Sequence, residues 1–493
     1  MLYFNIWPMR LFVISDLHLG GRPHSDDAES PLGSQICHAY QELTNFIDWV
    51  RGEADGAGSV ELVINGDIVD FLMEDNYGGA TAAAPWVPDE SLVIEKLQRI
   101  MERTRLDGKY GPFEAMAALV QAGQCLTFIL GNHDVELSLP LVRNCLEQKM
   151  GGTGHFRFIY DGEAYVRGDL LIEHGNRYDP WNIIDHSALR QERSLLSRGF
   201  AKRMQQRTTG AFVPPPGSFM VTKIINEIKQ HYRFVDLLKP ETEAVLPILL
   251  ALNLRLQHVL EAALQMHSQS HNEFLSAAEP SRDGQLSAQG GNEVVSLAAS
   301  LRRVLGESAP VHFPVQTNNG AQLGVGDAWR HLQQLSKKIG SYLDDPAGLF
   351  AAPAAPARSE VLRVAFAAWG GRLSRDESRE VSPYRDAVQE LAREGGFNYV
   401  IFGHTHLRRQ ETLMIDRRSV TYLNTGTWTD TMRIPLALLE PGAAAQADFA
   451  AFVTDLKENR LAAYLERRLT YADVRLVDER VVSAELCSFQ DPV

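Results

Sequence analysis

Five short motifs in this chain carry side chains able to hold divalent cations. S-D-L-H-L supplies Asp16 and His18, and N-G-D-I-V-D supplies Asp67 and Asp70 behind Gly66. G-N-H-D supplies Asn132, His133 and Asp134 behind Gly131, H-G-N-R-Y-D opens with His174, and G-H-T-H supplies His404 and His406 behind Gly403. Carboxylate, amide and imidazole donors without a thiolate suit borderline-hard ions such as Mn2+, Fe2+ or Zn2+. A pair of such ions makes water nucleophilic near neutral pH and neutralises charge on phosphoryl oxygens. Any single D-x-H or H-x-H arises by chance, and an isolated imidazole such as His258 or His331 reads as structural. Five motifs, each following an apolar run, read jointly as one metal site.

The apolar runs are strands by length and by where they stop: LFVIS (11–15), ELVIN (61–65), LTFIL (126–130), DLLIE (169–173) and NYVIF (398–402). Helical patterns stand between them, as at 37–50 and 91–103, with a further one at 383–393 and strands near 411–415 and 419–424. Short buried strands joined by helical crossovers specify an α/β layered sheet. Every candidate ligand then falls just past the carboxyl end of a strand, the edge where open α/β sheets place their sites. Gly66, Gly131 and Gly403 allow the tight turns that let the ligands converge.

The chain has 493 residues, 45% of them hydrophobic and 22% charged, an ordinary soluble composition with ample core material. Its 48 basic and 62 acidic residues leave a net charge of −14, which argues against a sequence-blind nucleic-acid binder. Cys37, Cys125, Cys145 and Cys487 form no CxxC pair, so a disulfide framework and a thiolate zinc site are excluded and a reducing, cytoplasmic setting is expected. The start, MLYFNIWPMR, lacks a basic region and a small-residue cleavage site, and no transmembrane segment is expected elsewhere.

Between the two α/β regions, residues 186–357 read as mainly helical, broken by VPPPG (213–217) and by polar or Ala/Pro tracts at 268–292 and 346–359. This stretch is the basic part of an acidic protein: 186–239 alone holds 10 basic and 3 acidic residues. It reads as a solvated helix face or as a basic surface near an anionic substrate. Leu246, Leu249, Leu250, Leu256, Val259 and Leu260 make an apolar helical face suited to core packing or to an acyl groove. N-R-Y-D-P-W-N (176–182) reads as a capped turn into the insertion, with Arg177 or Tyr178 as the alternative substrate contacts.

The motif order D-x-H, G-D-x-x-D, G-N-H-D, H, G-H-x-H resembles the calcineurin-like metallophosphoesterase superfamily, over about 10–182 and 395–430. The resemblance implies a two-sheet αββα sandwich with a large, mainly helical insertion. Its organisation would be 1–185 and 358–440 as the two parts of the catalytic domain, 186–357 as a cap, and 441–493 as a helix and strand extension. It implies two divalent ions, Mn2+ first and Fe or Zn as alternatives. Asp16, His18, Asp67 and His406 would hold one; Asp67, Asn132, His174 and His404 would hold the other. His133 would act on the substrate phosphate, with Asp134 orienting its ring, while Asp70 would support rather than bind. The implied reaction is attack of a metal-bridged hydroxide on a phosphoester or pyrophosphate. The implied partner is a phosphorylated substrate, with a large or amphiphilic molecule and peripheral membrane contact within its range.

Y-L-N-T-G-T-W (422–428) adds a narrower resemblance to the UDP-2,3-diacylglucosamine pyrophosphohydrolase branch, although that branch has arginine in place of His133 and a shorter insertion. Two further functions are weighed: a nuclease of the same superfamily, and a scaffold that has lost catalysis. The scaffold reading predicts missing ligands, and none is missing.

Overall fold

Residues alternate in side along β1 (Met9–Ile14): Phe12 and Ile14 enter one apolar cluster, Leu11 and Val13 another. The same period of two runs through β2 (Ser59–Asn65) and β3 (Cys125–Ile129), where Leu62, Ile64, Leu126 and Phe128 face the first cluster and Val63 and Ile129 the second. A sheet apolar on both faces must be covered twice. In the computed structural model the described residues are 9–22, 34–54, 59–74, 84–152, 154–179, 181–200, 211–226, 233–239, 382–439 and 443–490.

Helices cover the first face. α1 (Tyr40–Gly52) turns Leu43, Phe46, Ile47 and Val50 inward, and α2 (Glu90–Arg103) turns Val93, Leu97 and Ile100 inward. Asp89 caps α2 by accepting from the Ser91 and Leu92 amides. α3 (Pro112–Gln121) and α4 (Pro140–Met150) open on proline, which already has the helical φ and lacks an amide hydrogen that would go unpaired there. These helices are the crossovers that make β1, β2, β3 and β4 (Phe156–Ile159) parallel neighbours.

A second sheet covers the other face. It runs β5 (Tyr165–Arg167), β6 (Leu170–Ile172), β7 (Tyr399–Phe402), β9 (Arg418–Asn424), β8 (Arg409–Ile415). Leu170, Ile172, Ile401 and Leu423 meet Leu11, Val13 and Val63 between the sheets. Leu171, Val400, Phe402 and Tyr422 point outward onto the helix Ser382–Glu394 through Tyr384 and Val388. The result is the expected αββα sandwich.

Helix then strands is observed, as the helix Ala443–Lys457, β12 (Thr470–Val477) and β13 (Arg480–Ser488). β12 pairs antiparallel with β1, extending the first sheet, and not the second, to β13-β12-β1-β2-β3-β4. Alternating polarity identifies a strand but does not select its edge. Here Arg10 pairs with Asp473 at 2.7 Å across that edge. A short ribbon, β10 (Thr431–Met432) with β11 (Leu465–Glu466), leads into it.

The described part of the insertion comprises α5 (His186–Leu196), a short helix Pro216–Met220, a π-helical turn Val221–Ile225 and a turn Phe234–Leu237. The apolar face from Leu246 to Leu260 and both low-complexity tracts lie outside the described residues. Among the described residues, no helix is long and apolar enough to cross a membrane.

Asp430 ties these parts together, with Arg467 Nε at 2.7 Å, His38 Nδ1 at 3.0 Å and Arg233 of the insertion at 3.6 Å. Burial opposes its charge, but His38 and Arg467 outweigh it and hold the carboxyl at about 2. A carboxyl lowered in the folded state stabilises above its unfolded pKa, near 4, and that contribution is lost as pH falls through its folded value. Asp430→Asn should therefore unfold at lower urea than wild type at pH 7, with the gap shrinking to roughly half by pH 3. An unchanged gap would show that the ion pairs do not carry this contribution.

Candidate metal centre

The loops after β1, β2, β3, β6 and β7 meet at one rim of the sandwich, between the sheets. Asp16, His18, Asp67, His404 and His406 each have φ between 43° and 65°. Left-handed backbone at a non-glycine residue costs about 1–3 kcal/mol and persists only where surroundings enforce it. Here the loops enforce it on one another. The Asp16 and His18 amides donate to the Gly66 and Asp67 carbonyls at 3.2 and 2.9 Å. The Asp16 carbonyl accepts from the Trp428 amide and the Thr427 hydroxyl. The His404 amide donates to the Asp16 carboxylate, and the His133 amide to Asp67 Oδ1 at 2.8 Å.

The motif glycines serve close approach more than turning. A Cβ on Gly131 would lie 2.1 Å from Asp67 Oδ1, and one on Gly66 would lie 2.3 Å from His174 Nδ1. Of the two, only Gly66 also has a positive φ, 81°. Each glycine thus makes room for a ligand borne by a different motif.

Three groups of side chains place one donor atom each within 4.8 Å of one another: Asp16, His18 and His406; His18, Asp67 and His133; Asp67, His174 and His404. The first expected ligand set is brought together. His18 Nε2 lies 3.0 Å from His406 Nε2, which is 3.2 Å from Asp16 Oδ1, and Asp67 Oδ2 is 3.7 Å from His18 Nε2. The second set gathers around Asp67 as well. His174 Nε2 lies 3.1 Å from Asp67 Oδ2 without hydrogen-bond geometry, its Nδ1 being engaged by the Asn65 carbonyl at 2.8 Å.

The donor set fits divalent cations. Asn132 Oδ1 and His174 Nε2 are buried polar atoms without a hydrogen-bond partner among the described residues, an arrangement costly unless something else satisfies them. Burial opposes a charge on His174, but Asp67 outweighs it and holds the imidazole protonated up to about 9, so a proton stands where a cation would. Burial, with the Lys239 ammonium next, pushes His406 down to about 3 and keeps it a neutral donor. Asp16 is held at about 2, burial being outweighed chiefly by His406.

His133 faces the same cavity, its ring 4.7 Å from that of His18 and nearly perpendicular. Its Nδ1 lies 3.0 Å from Asp70 Oδ2, and the same oxygen is 2.9 Å from His18 Nδ1. The carboxylate on the His133 ring is therefore Asp70, in place of the expected Asp134. Asp134 instead accepts from the Gly131 and Ile68 amides, each at 2.7 Å, and so holds two loops together. The expectation of Asp134 came with the family resemblance. An adjacent side chain on this sharply turned loop points toward backbone amides, whereas Asp70 reaches both rings from the next strand's loop. Asp70 is held well below the usual carboxylate range, since the two imidazoles outweigh its burial.

The turn at 176–182 reaches the site through a residue not singled out from the sequence. Asp179 Oδ2 lies 3.1 Å from His404 Nε2. Arg177 and Tyr178 bond to Glu173, and Arg177 also to the Gly162 carbonyl, away from the ligands. The segment 422–428 acts as a buttress: Asn424 Nδ2 donates to the Gly403 carbonyl and to Thr405 Oγ1, behind the G-H-T-H loop.

The model of the calcineurin-like phosphoesterase family matches residues 9–213, a span holding β1 to β6 and every motif from Asp16 to His174, and over that span the chain is similar to this family. No curated protein matches the chain.

The close approach at Gly131 has a measurable consequence. Gly131→Ala should displace Asp67 and weaken Mn2+ binding at least about 10-fold while circular dichroism stays native. Unchanged affinity by calorimetry would remove Asp67 from the centre.

Proposed function

We propose that this protein is a dinuclear-metal phosphohydrolase acting on a phosphoester or a pyrophosphate. The observation that carries the reading is the place of Asp67 between two groups: its Oδ2 lies 3.1 Å from His174 Nε2, which clusters with His404, and 3.7 Å from His18 Nε2, which clusters with Asp16 and His406. The match of residues 9–213 to the calcineurin-like phosphoesterase family supports a metal-dependent phosphoesterase in general. Asn132, with its unpartnered Oδ1, completes the second set. A pair of divalent ions so held supplies Lewis acidity and a nucleophilic water.

The remaining work falls to side chains of this chain. Asp70 accepts from Nδ1–H of His133 and so favours the doubly protonated ring, whose Nε2–H would donate to a phosphoryl oxygen or pass its proton to the leaving oxygen. The same carboxylate holds His18, so the proton donor and a metal ligand share one anchor and keep their spacing. Nearly complete burial of Asp16, Asp67 and Asp70 excludes bulk water behind the reacting centre, which strengthens each electrostatic contact there. Lys239, also buried, lies near enough for its charge to act on His406, consistent with a basic insertion beside an anionic substrate. Mn2+ is the proposed ion, and the chemistry of the donors also accommodates Fe or Zn.

The test uses Mn2+-loaded protein with an aryl phosphodiester, an aryl phosphomonoester and a nucleotide-diphosphate sugar. Turnover of at least one, abolished by chelator and restored by Mn2+, is expected. Asp67→Ala should lower kcat by about 10^3 or more, and hydrolysis that survives this change would sink the assignment. His133→Ala should lower kcat about 10^2–10^4-fold with bound metal unchanged. Loss of metal in that variant would instead make His133 a ligand, in keeping with its place beside His18 and Asp67.

A further inference from the structure

The N-R-Y-D-P-W-N turn contains a hydrogen-bond chain that ends on two of the proposed ligands of the second ion. Asp179 Oδ2 lies 3.1 Å from His404 Nε2 and accepts from Asn182 Nδ2 at 2.8 Å, while its Oδ1 accepts from the Trp181 amide at 3.0 Å. Asn182 Oδ1 in turn accepts from Asn132 Nδ2 at 3.3 Å. The backbone carbonyl of Asn182 is held by Asn176 Nδ2 at 2.8 Å. The turn's own members, Asn176, Asp179, Trp181 and Asn182, lie within seven residues that begin just past Gly175.

The direction of every bond in this chain follows from one fact: a carboxylate only accepts. Asp179 therefore requires a hydrogen on His404 Nε2, which leaves the lone pair of that ring on Nδ1. Asp179 also requires the NH2 end of Asn182, which turns the carbonyl end of Asn182 toward Asn132. That carbonyl requires the NH2 end of Asn132, and the remaining atom, Asn132 Oδ1, is the one left without a partner at the centre. An amide or imidazole free to flip would present N–H to a cation half the time. Here both are set with an acceptor atom outward.

We infer that Asp179, acting through Asn182, is a positioning residue that fixes the tautomer of His404 and the amide orientation of Asn132 as ligands of the second ion. The insertion takes part in this. The Gly217 amide donates to the Trp181 carbonyl at 2.8 Å, and a Cβ on Gly217 would lie 2.3 Å from Asn182 Oδ1. The VPPPG segment thus seats directly on the chain, so the second ion is coupled to how the insertion docks. Asp179, Asn182 and Gly217 make no described bond to Asp16, His18 or His406; His18 is anchored by Asp70, and Asp16 by residues 427–428 and the His404 backbone amide.

The inference rests on the two-ion reading of the site, and the experiment separates the two. Wild type, Asp179→Asn and Gly217→Ala are titrated with Mn2+, following stoichiometry by calorimetry and spin coupling by electron paramagnetic resonance. Wild type should take two ions and give an exchange-coupled signal. Asp179→Asn should bind the second ion about 10–100-fold more weakly, keep the first, and show the six-line signal of isolated Mn2+. Histidine ring 15N shifts of the metal-free proteins should report Nε2–H at His404 in wild type and a tautomer mixture in Asp179→Asn, which a merely structural role would not produce. Gly217→Ala should weaken the second ion in the same direction, and serves alone if Asp179→Asn does not fold. Two ions bound with wild-type affinity in the variants would overturn the positioning role and leave the two-ion reading standing. A wild type that holds fewer than two ions would overturn both.

Discussion

Four carboxylates, Asp16, Asp67, Asp70 and Asp134, are at most 1% exposed within one rim of the sandwich, and the rest of the structure depends on making that burial tolerable. A buried carboxylate without compensation costs several kcal/mol even after relaxation. Each of these has its compensation. Asp134 takes two backbone amides, Asp70 two imidazoles and the Met73 amide, Asp16 the His404 amide, and Asp67 the His133 amide. What remains after those bonds is a set of donor atoms aimed at one another, with Asp67 at the middle. A divalent cation would satisfy such a set.

Stability for this arrangement comes from elsewhere in the molecule. Five ligand residues in left-handed backbone are strained, and their loops consist largely of polar atoms. The strands beneath them are packed on both faces, and the aromatic cluster of Phe46, Trp428, Tyr471 and Phe489 locks the loop that holds Asp16. Trp428 Nε1 donates to the Thr470 carbonyl of β12, and Thr470 Oγ1 donates to the Thr425 carbonyl. The last strands of the chain therefore reach the metal centre through two bonds. That contribution had no signature in the sequence, because it depends on β12 choosing the edge beside β1.

Much of the site was legible because strand ends are. An apolar run of four or five residues followed by Gly, Asp, His or Asn marks both the strand and its exposed carboxyl edge, and the strands found match those runs to within a residue or two. The proposed ligands of the first ion, Asp16, His18 and His406, were legible for the same reason. Asp70 supports rather than binds, as expected, but the carboxylate on the His133 ring is Asp70 and not Asp134, since only the direction of each side chain separates an imidazole partner from an amide partner. Asp179 was harder still. It lies among Asn, Arg, Tyr and Trp in a segment that reads as an ordinary turn, and its role appears only once His404, 225 positions further on, is folded against it.

Residue types and their order determined the chemistry: which donors exist, that none is a thiolate, and that all of them follow strands of a layered α/β fold. Those properties are local, set by side-chain chemistry and by a periodicity of two along each strand. Tertiary structure decided which carboxylate serves which imidazole, where the terminal strands pair, and how the basic insertion abuts Asn182. These are matters of direction and contact between distant segments, and a one-residue shift in any loop would reassign them without altering a single motif.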